Sequence, residues 1–134
     1  MEFVIIRAYI GVLIYASIID IRKLMVYDRV HLLIILFSIL NQTFFNNIAG
    51  ALILTIPFLM IAIKTNQIGG GDIKYIFTNS LFLGLQKSYG GILIGLACLL
   101  IYHYSKKIVS NEVRGKQIAL IPFLSLGFII SILL

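Results

Sequence analysis

Six apolar runs, separated only by short polar breaks, constrain this chain more than any single residue does. They extend approximately over Phe3 to Ile19, Val30 to Phe45, Ile48 to Ile63, Ile73 to Leu85, Gly90 to Tyr104 and Ile118 to Leu134. At a rise of about 1.5 Å per residue, most of them approach the length that crosses about 30 Å of hydrocarbon. Ile73 to Leu85 is the short one, and it crosses only with help from its polar flanks or from a locally thinned bilayer. A mean hydropathy of +1.06, with 60% hydrophobic and 12% charged residues, lies outside the range of soluble domains. The expected fold is an all-α membrane protein, a polytopic bundle of six transmembrane helices forming one integral-membrane domain over residues 1–134. The first run follows Glu2 rather than a basic cluster, and no Ala-x-Ala-like site comes after it, so it reads as a retained helix and not as a cleaved signal.

The basic residues orient such a bundle. Arg22, Lys23 and Arg29 fall between the first two runs, Lys64 and Lys74 around the third break, and Lys106, Lys107, Arg114 and Lys116 before the last run. The other side keeps Arg7 and Lys87. Nine of the eleven basic residues thus lie in odd-numbered loops, which the positive-inside rule makes cytoplasmic, with both termini outside. A re-entrant fourth segment would put the last basic cluster on the wrong side. The net charge of +6 is therefore an orientation signal, and with no basic domain present nucleic-acid binding is not expected.

Other residue types narrow the chemistry. The single Cys98 excludes an intrachain disulfide or a cysteine-based zinc site, and His31 and His103 lack metal-ligand spacing, so neither metal nor cofactor is expected. Gly91 and Gly95 form a small-xxx-small pair suited to close helix packing, with Gly11, Gly50 and Gly84 available for similar contacts. Pro57 is a candidate kink, and Tyr27, Tyr75, Tyr102 and Tyr104 are expected as interfacial anchors.

Two aspartates stand out. Asp20 follows the first apolar run and Asp72 precedes the fourth, so the expected topology brings both carboxylates to the cytoplasmic boundary. As an N-cap, Asp72 would satisfy a free helix N–H, but a cap does not explain Gly69, Gly70 and Gly71 before it. Three glycines permit backbone angles that other residues resist. Asp20 at a helix C-terminus faces the negative end of the dipole, while Asp28 suits an ordinary cap of the second helix. Two carboxyl groups sharing a water, one ionised and one protonated, can hydrolyse a peptide bond, because close like charges resist ionising together. On helix dipoles alone, Asp72 is expected to supply the base and Asp20 the acid.

These residues resemble the type IV prepilin leader peptidases, membrane aspartyl proteases of the GxGD group. Gly69-Gly70-Gly71-Asp72-Ile73-Lys74 resembles the family's Gly-x-Gly-Asp-x-Lys stretch. Ser17-Ile18-Ile19-Asp20-Ile21-Arg22 followed by Val26-Tyr27-Asp28-Arg29 resembles its other aspartate motif, with Tyr27 where a proline is usual. Ile121-Pro122-Phe123 leading to Leu126-Gly127 resembles an abbreviated last-helix entrance. The resemblance implies that Asp20 and Asp72 are catalytic. It implies support from Gly69, Gly70, Gly71 and Lys74 and, with less force, from Asp28, which could join Glu112 in an acidic rim for a basic leader. The implied reaction is removal of a short basic leader from prepilin or pseudopilin precursors, at the cytoplasmic face of a prokaryotic cell membrane. Larger members also methylate the new N-terminus through an extension with paired cysteines. This chain starts at the helix of Asp20 and has one cysteine, so peptidase activity without methylation is expected. The competing readings are a proton- or ion-coupled transporter and a noncatalytic pilus-assembly subunit. Both aspartates at one boundary, with no ionisable relay through the apolar runs, weigh against transport.

Overall fold

A computed structural model describes residues 2–109 and 118–134. Arg114, Lys116 and Glu112, which entered the charge count and the acidic rim, lie outside the described residues. The described chain is all-helical, with α1 (Glu2–Lys23), α2 (Asp28–Leu40), α3 (Phe44–Thr65), α4 (Gly70–Leu83), α5 (Leu85–Val109) and α6 (Ile121–Leu133).

Long and short helices alternate. α1, α3 and α5, of 22, 22 and 25 residues, are long and apolar enough to cross a membrane. α2, α4 and α6 have 13, 14 and 13 residues, so the shortness expected of the fourth run extends to all three even-numbered helices. The second run is cut at Asn41-Gln42-Thr43, where Gln42 turns left-handed at φ 55° and the Thr43 N–H donates to the Ser38 carbonyl at 3.0 Å. Phe44 and Phe45 thereby pass to α3. α6 begins at Ile121, with Pro122 in its first turn, where a missing N–H costs no helical hydrogen bond.

The exterior is apolar. Phe3, Leu32, Leu36, Ile53, Ile63 and Ile101, among many others, are exposed, the arrangement expected where hydrocarbon is the solvent. α4 lies at the centre, packed on α2, α3, α5 and α6, and its buried face carries polar groups as well as apolar ones: Tyr75, Thr78, Asn79 and Ser80 beside Ile76, Leu81 and Phe82.

α5 and α6 form the most extensive helix pair. Their approach depends on the glycines read from the sequence. A Cβ on Gly95 would come within 2.8 Å of the Phe123 carbonyl oxygen, one on Gly91 within 2.6 Å of the Phe128 ring, and one on Gly127 would collide with the Gly91 backbone. Gly50 serves the same purpose against Leu85, whereas Gly11 has no atom near its vacant side-chain position.

α1 and α4 differ from that pair. Among the described residues their backbones make no close approach, and side chains bridge the gap between them. The Tyr9 ring stacks on Phe82 at 4.2 Å and its hydroxyl donates to the Asn79 side-chain oxygen. Tyr75, expected at an interface, is instead fully buried and shares a 2.6 Å hydrogen bond with Ser125 of α6. Tyr27, Tyr102 and Tyr104 are exposed.

Candidate active site

The connections at one end of the bundle enclose a cavity of about 460 Å³. Asp20, Leu24, Met25 and Val26 come from the end of α1 and the turn after it. Gln67, Gly69, Gly70, Gly71 and Asp72 come from the α3–α4 turn and the first turn of α4, and Ile118 and Leu120 from the approach to α6. Three breaks that the charge count assigned to one side thus meet around two carboxylates.

Local geometry explains how each wall forms. α1 runs one turn past its apolar residues, and Leu24 then takes a left-handed conformation, φ 53°, with its N–H on the Asp20 carbonyl at 2.8 Å. A β- or γ-branched side chain seldom adopts that conformation, which costs about 1 kcal/mol or more. The reversal swings Met25 and Val26 back toward the carboxylates. Tyr27 follows with φ −70° and ψ 142°, an extended geometry that a proline would also hold. Its hydroxyl accepts a hydrogen bond from the Lys23 amine at 2.6 Å.

The glycine run contributes space rather than unusual angles. Gly69 is the N-cap of α4 with φ −69° and ψ 146°, and none of Gly69, Gly70 and Gly71 has positive φ. The conformational argument made from the sequence therefore does not hold for this conformation. Among the described residues an added Cβ would meet nothing at Gly70 or Gly71, and at Gly69 it would lie 3.6 Å from an Asp72 carboxylate oxygen. The run forms a floor without side chains beside that carboxylate. Asp72 is the third residue of α4 and not its cap.

The two carboxylates sit in different surroundings. Asp20 is 5% exposed and accepts the Ile121 N–H at 3.1 Å. Burial raises its carboxyl above the ordinary value, and the Ile121 N–H, one of the donors left free at the head of α6, opposes that rise by favouring the charged form. Asp72 stands ahead of the apolar segment beginning at Ile73. Burial, then the Asp20 charge, push its carboxyl up to about 6 against an opposing hydrogen bond from the Gly69 backbone. Burial thus raises both carboxyls, and Asp20 receives an N–H from α6 that the dipole of its own helix did not anticipate. The sequence held one hint, the Ile121-Pro122 helix start.

Asp28 and Lys74 do not line the cavity. They form an exposed ion pair at 3.1 Å that joins the head of α2 to the first turn of α4, an interaction worth about 0–1 kcal/mol. Asp28 is the first residue of α2, whose cap position is Tyr27 and has no side-chain cap bond. His31 is buried against the Tyr75 ring, and among the described residues neither ring nitrogen has a hydrogen-bond partner. Among the described residues no group of histidine, cysteine and acidic side chains could hold a metal ion.

Comparison with curated proteins gave no match, and comparison with solved structures gave none. The family model described as the type IV leader peptidase family matches residues 8–104, a stretch that includes Asp20, the glycine run and Asp72. With most of its length matched and two carboxylates gathered around one cavity, the chain belongs to the type IV leader peptidase family, and its activity is that of a protease.

Proposed function

We propose that the protein is an aspartyl endopeptidase of the cytoplasmic membrane of a prokaryote, removing the short basic leader of type IV prepilin-like precursors at the cytoplasmic face. The observation that carries this reading is the placement of Asp20 and Asp72 on separate helices around one cavity, in unlike electrostatic surroundings.

Asp20, ionised, accepts a proton from a water whose oxygen attacks the scissile carbonyl carbon, while protonated Asp72 gives its proton to the carbonyl oxygen. The resulting diol collapses as the carbon–nitrogen bond breaks. Asp20 returns its proton to the leaving amine, and Asp72 recovers one from a diol hydroxyl. The pair ends as it began, so no other reactant is needed. General acid–base steps of this kind each contribute about 10²–10⁴-fold. Because the two carboxyls titrate as a coupled pair, a measured pH profile belongs to both. Gly70 and Gly71 leave room for substrate backbone beside Asp72. Lys74 and Asp28 support the reaction indirectly, by tying α2 to the turn that carries Asp72.

Six membrane crossings with both termini outside complete the proposal. The distribution of basic residues and the meeting of the α1–α2 turn, the α3–α4 turn and the α6 entrance at one cavity support it. The three short helices reach across with their flanking turns and a thinned bilayer. Among the described residues the buried polar side chains other than Asp20 and His31 are not ionisable near neutral pH, so no chain of carboxylates or bases leads through the bundle to favour transport.

The test is leader removal from a type IV prepilin in membranes, comparing wild type with Asp20→Asn and Asp72→Asn at matched expression. Both variants are expected to lose at least about 10²-fold in rate while remaining folded. Cleavage retained by either would move the chemistry elsewhere. The same preparation, incubated with S-adenosylmethionine, is expected to leave the new N-terminus unmethylated.

A further inference from the structure

Below the cavity, α1, α4 and α6 are joined by a closed ring of buried hydrogen bonds that hydrolysis itself does not use. Tyr9 of α1 donates to the Asn79 side chain of α4, and the Asn79 amide donates to the Tyr75 carbonyl at 2.7 Å. The Tyr75 hydroxyl bonds Ser125 of α6 at 2.6 Å, and the Ser125 hydroxyl lies 3.5 Å from the Leu13 carbonyl of α1. Tyr9, Tyr75 and Asn79 have no exposed surface and Ser125 is 2% exposed.

These positions lie in register with the carboxylates. Asp72, Tyr75 and Asn79 fall three and seven residues apart, on one face of α4. Tyr9, Leu13, Ala16 and Asp20 form the buried face of α1. On α6, Ser125 is four residues past Ile121, whose N–H holds Asp20. Each helix therefore carries a cavity group and a ring group on the same stripe, about 5–15 Å apart along its axis. A helix turns about 100° per residue, so a rotation that breaks the ring also swings its cavity group away. α1 and α4 each pack on other helices, but among the described residues they make no close backbone approach to one another, so their mutual rotation is coupled through these side chains. In hydrocarbon the freed hydroxyl and amide would find no water to replace their partners.

We infer that Tyr9, Asn79, Tyr75 and Ser125 are positioning residues, which fix the rotation of α1, α4 and α6 so that Asp20 and Asp72 face one another's cavity. The inference deepens the peptidase reading and rests on it for its effect on rate, but not for its effect on geometry. A carboxylate misplaced by about 1 Å is enough to cost on the order of 10²-fold in rate.

The experiment uses the full chain in membranes and two readouts. The first is kcat and KM for prepilin cleavage by Tyr9→Phe, Asn79→Leu and the double variant. The second is thiol cross-linking of Asp20→Cys/Asp72→Cys by a short bismaleimide, in a Cys98→Ser background, with and without the same changes. Tyr9→Phe is expected to lower kcat roughly 10- to 100-fold with KM held within about twofold. The double variant removes both members of the bridge, so it is expected to regain folded yield and thermal stability while kcat stays low and cross-linking stays reduced. A double variant that regains kcat together with stability overturns the inference, since the ring would then be packing alone. Unchanged cross-linking overturns it regardless of activity. Reduced cross-linking in a chain that cleaves no precursor supports the positioning role and counts against the peptidase reading. If these variants do not fold, Tyr75→Phe/Ser125→Ala, the matching pair between α4 and α6, decides by the same criteria.

Discussion

The α5–α6 seam and the α1–α4–α6 contact hold helices together in different ways. The seam brings backbones together by omitting side chains at Gly91, Gly95 and Gly127. A side-chain hydrogen bond across the pair, from Ser131 to the Lys87 carbonyl at 2.6 Å, lies at its far end. The α1–α4 side leaves backbones apart and spans the gap with Tyr9. Close packing fixes how near two helices lie, while a directional hydrogen bond fixes how each is turned. The two carboxylates need the second kind of control, because a correct distance between axes is useless if Asp20 or Asp72 faces lipid. α6 belongs to both contacts, so the seam sets its depth and the ring sets its rotation.

The comparison can be broken first at the seam. Gly127→Leu places a side chain against the Gly91 backbone and is expected to cost about 3 kcal/mol, since neither helix can yield without separating along its length. Unfolding of purified protein in mixed micelles would measure this. An unaffected protein would mean that α5 and α6 lie farther apart than described.

The cavity end of the hydrogen-bonded contact is the titratable region, whereas the buried seam positions Ser88, Gly91, Ile92 and Gly95 are neutral. Asp72 holds its proton up to about pH 6 in the folded protein, from an ordinary value of 3.8. The folded state therefore binds this proton more tightly than the unfolded state does. Its stabilising contribution is complete below about pH 4 and is lost as pH rises through 6, an effect on the order of 2 kcal/mol. Asp72→Asn is expected to flatten that dependence. Asp20→Asn removes the like charge and is expected to move the Asp72 transition to lower pH, readable from the carboxyl bands in infrared titration. A transition unmoved by Asp20→Asn would place the two groups too far apart to share a water.

The smallest expected effect is a control. Gly11→Ala, on the exposed face of α1 with nothing near the new methyl group, is expected to gain about 0.5–1 kcal/mol from helix propensity alone. Together with Gly127→Leu it separates glycines that pack from glycines that do not.

Much of this arrangement was legible from local chemistry. Apolar runs gave the helices, and the two aspartates at run ends both line one cavity. Three features were not legible, each for a tertiary reason. The break at Asn41-Gln42-Thr43 sits inside an otherwise apolar run, and its cost is met by the Ser38 and Thr43 hydroxyls, which also reach one another at 3.1 Å. The surroundings of the carboxylates depend on their burial and, for Asp20, on the N–H of Ile121, which is 101 residues away in the chain. Tyr75, read alone, is indistinguishable from an interfacial tyrosine; its burial follows from Ser125 and from the central place of α4. The spacing of Asp72, Tyr75 and Asn79 was the available signal, and it gains meaning only once their partners on α1 and α6 are known.

Asp20 occupies the last turn of α1 and Asp72 the first turn of α4, so the cavity begins where both apolar runs stop. Hydrolysis consumes a water for every bond cut. A protease with its carboxylates in mid-bilayer must conduct that water through hydrocarbon, at a cost in polar channel lining and in stability. Here solvent is at the threshold, and the substrate alone must travel. The burden of supply shifts from water to peptide: on the proposed reading, the leader junction would be drawn out of its own helix and laid beside the glycine run, and the ease with which a precursor's first turn unwinds at the membrane surface would become part of its rate of processing.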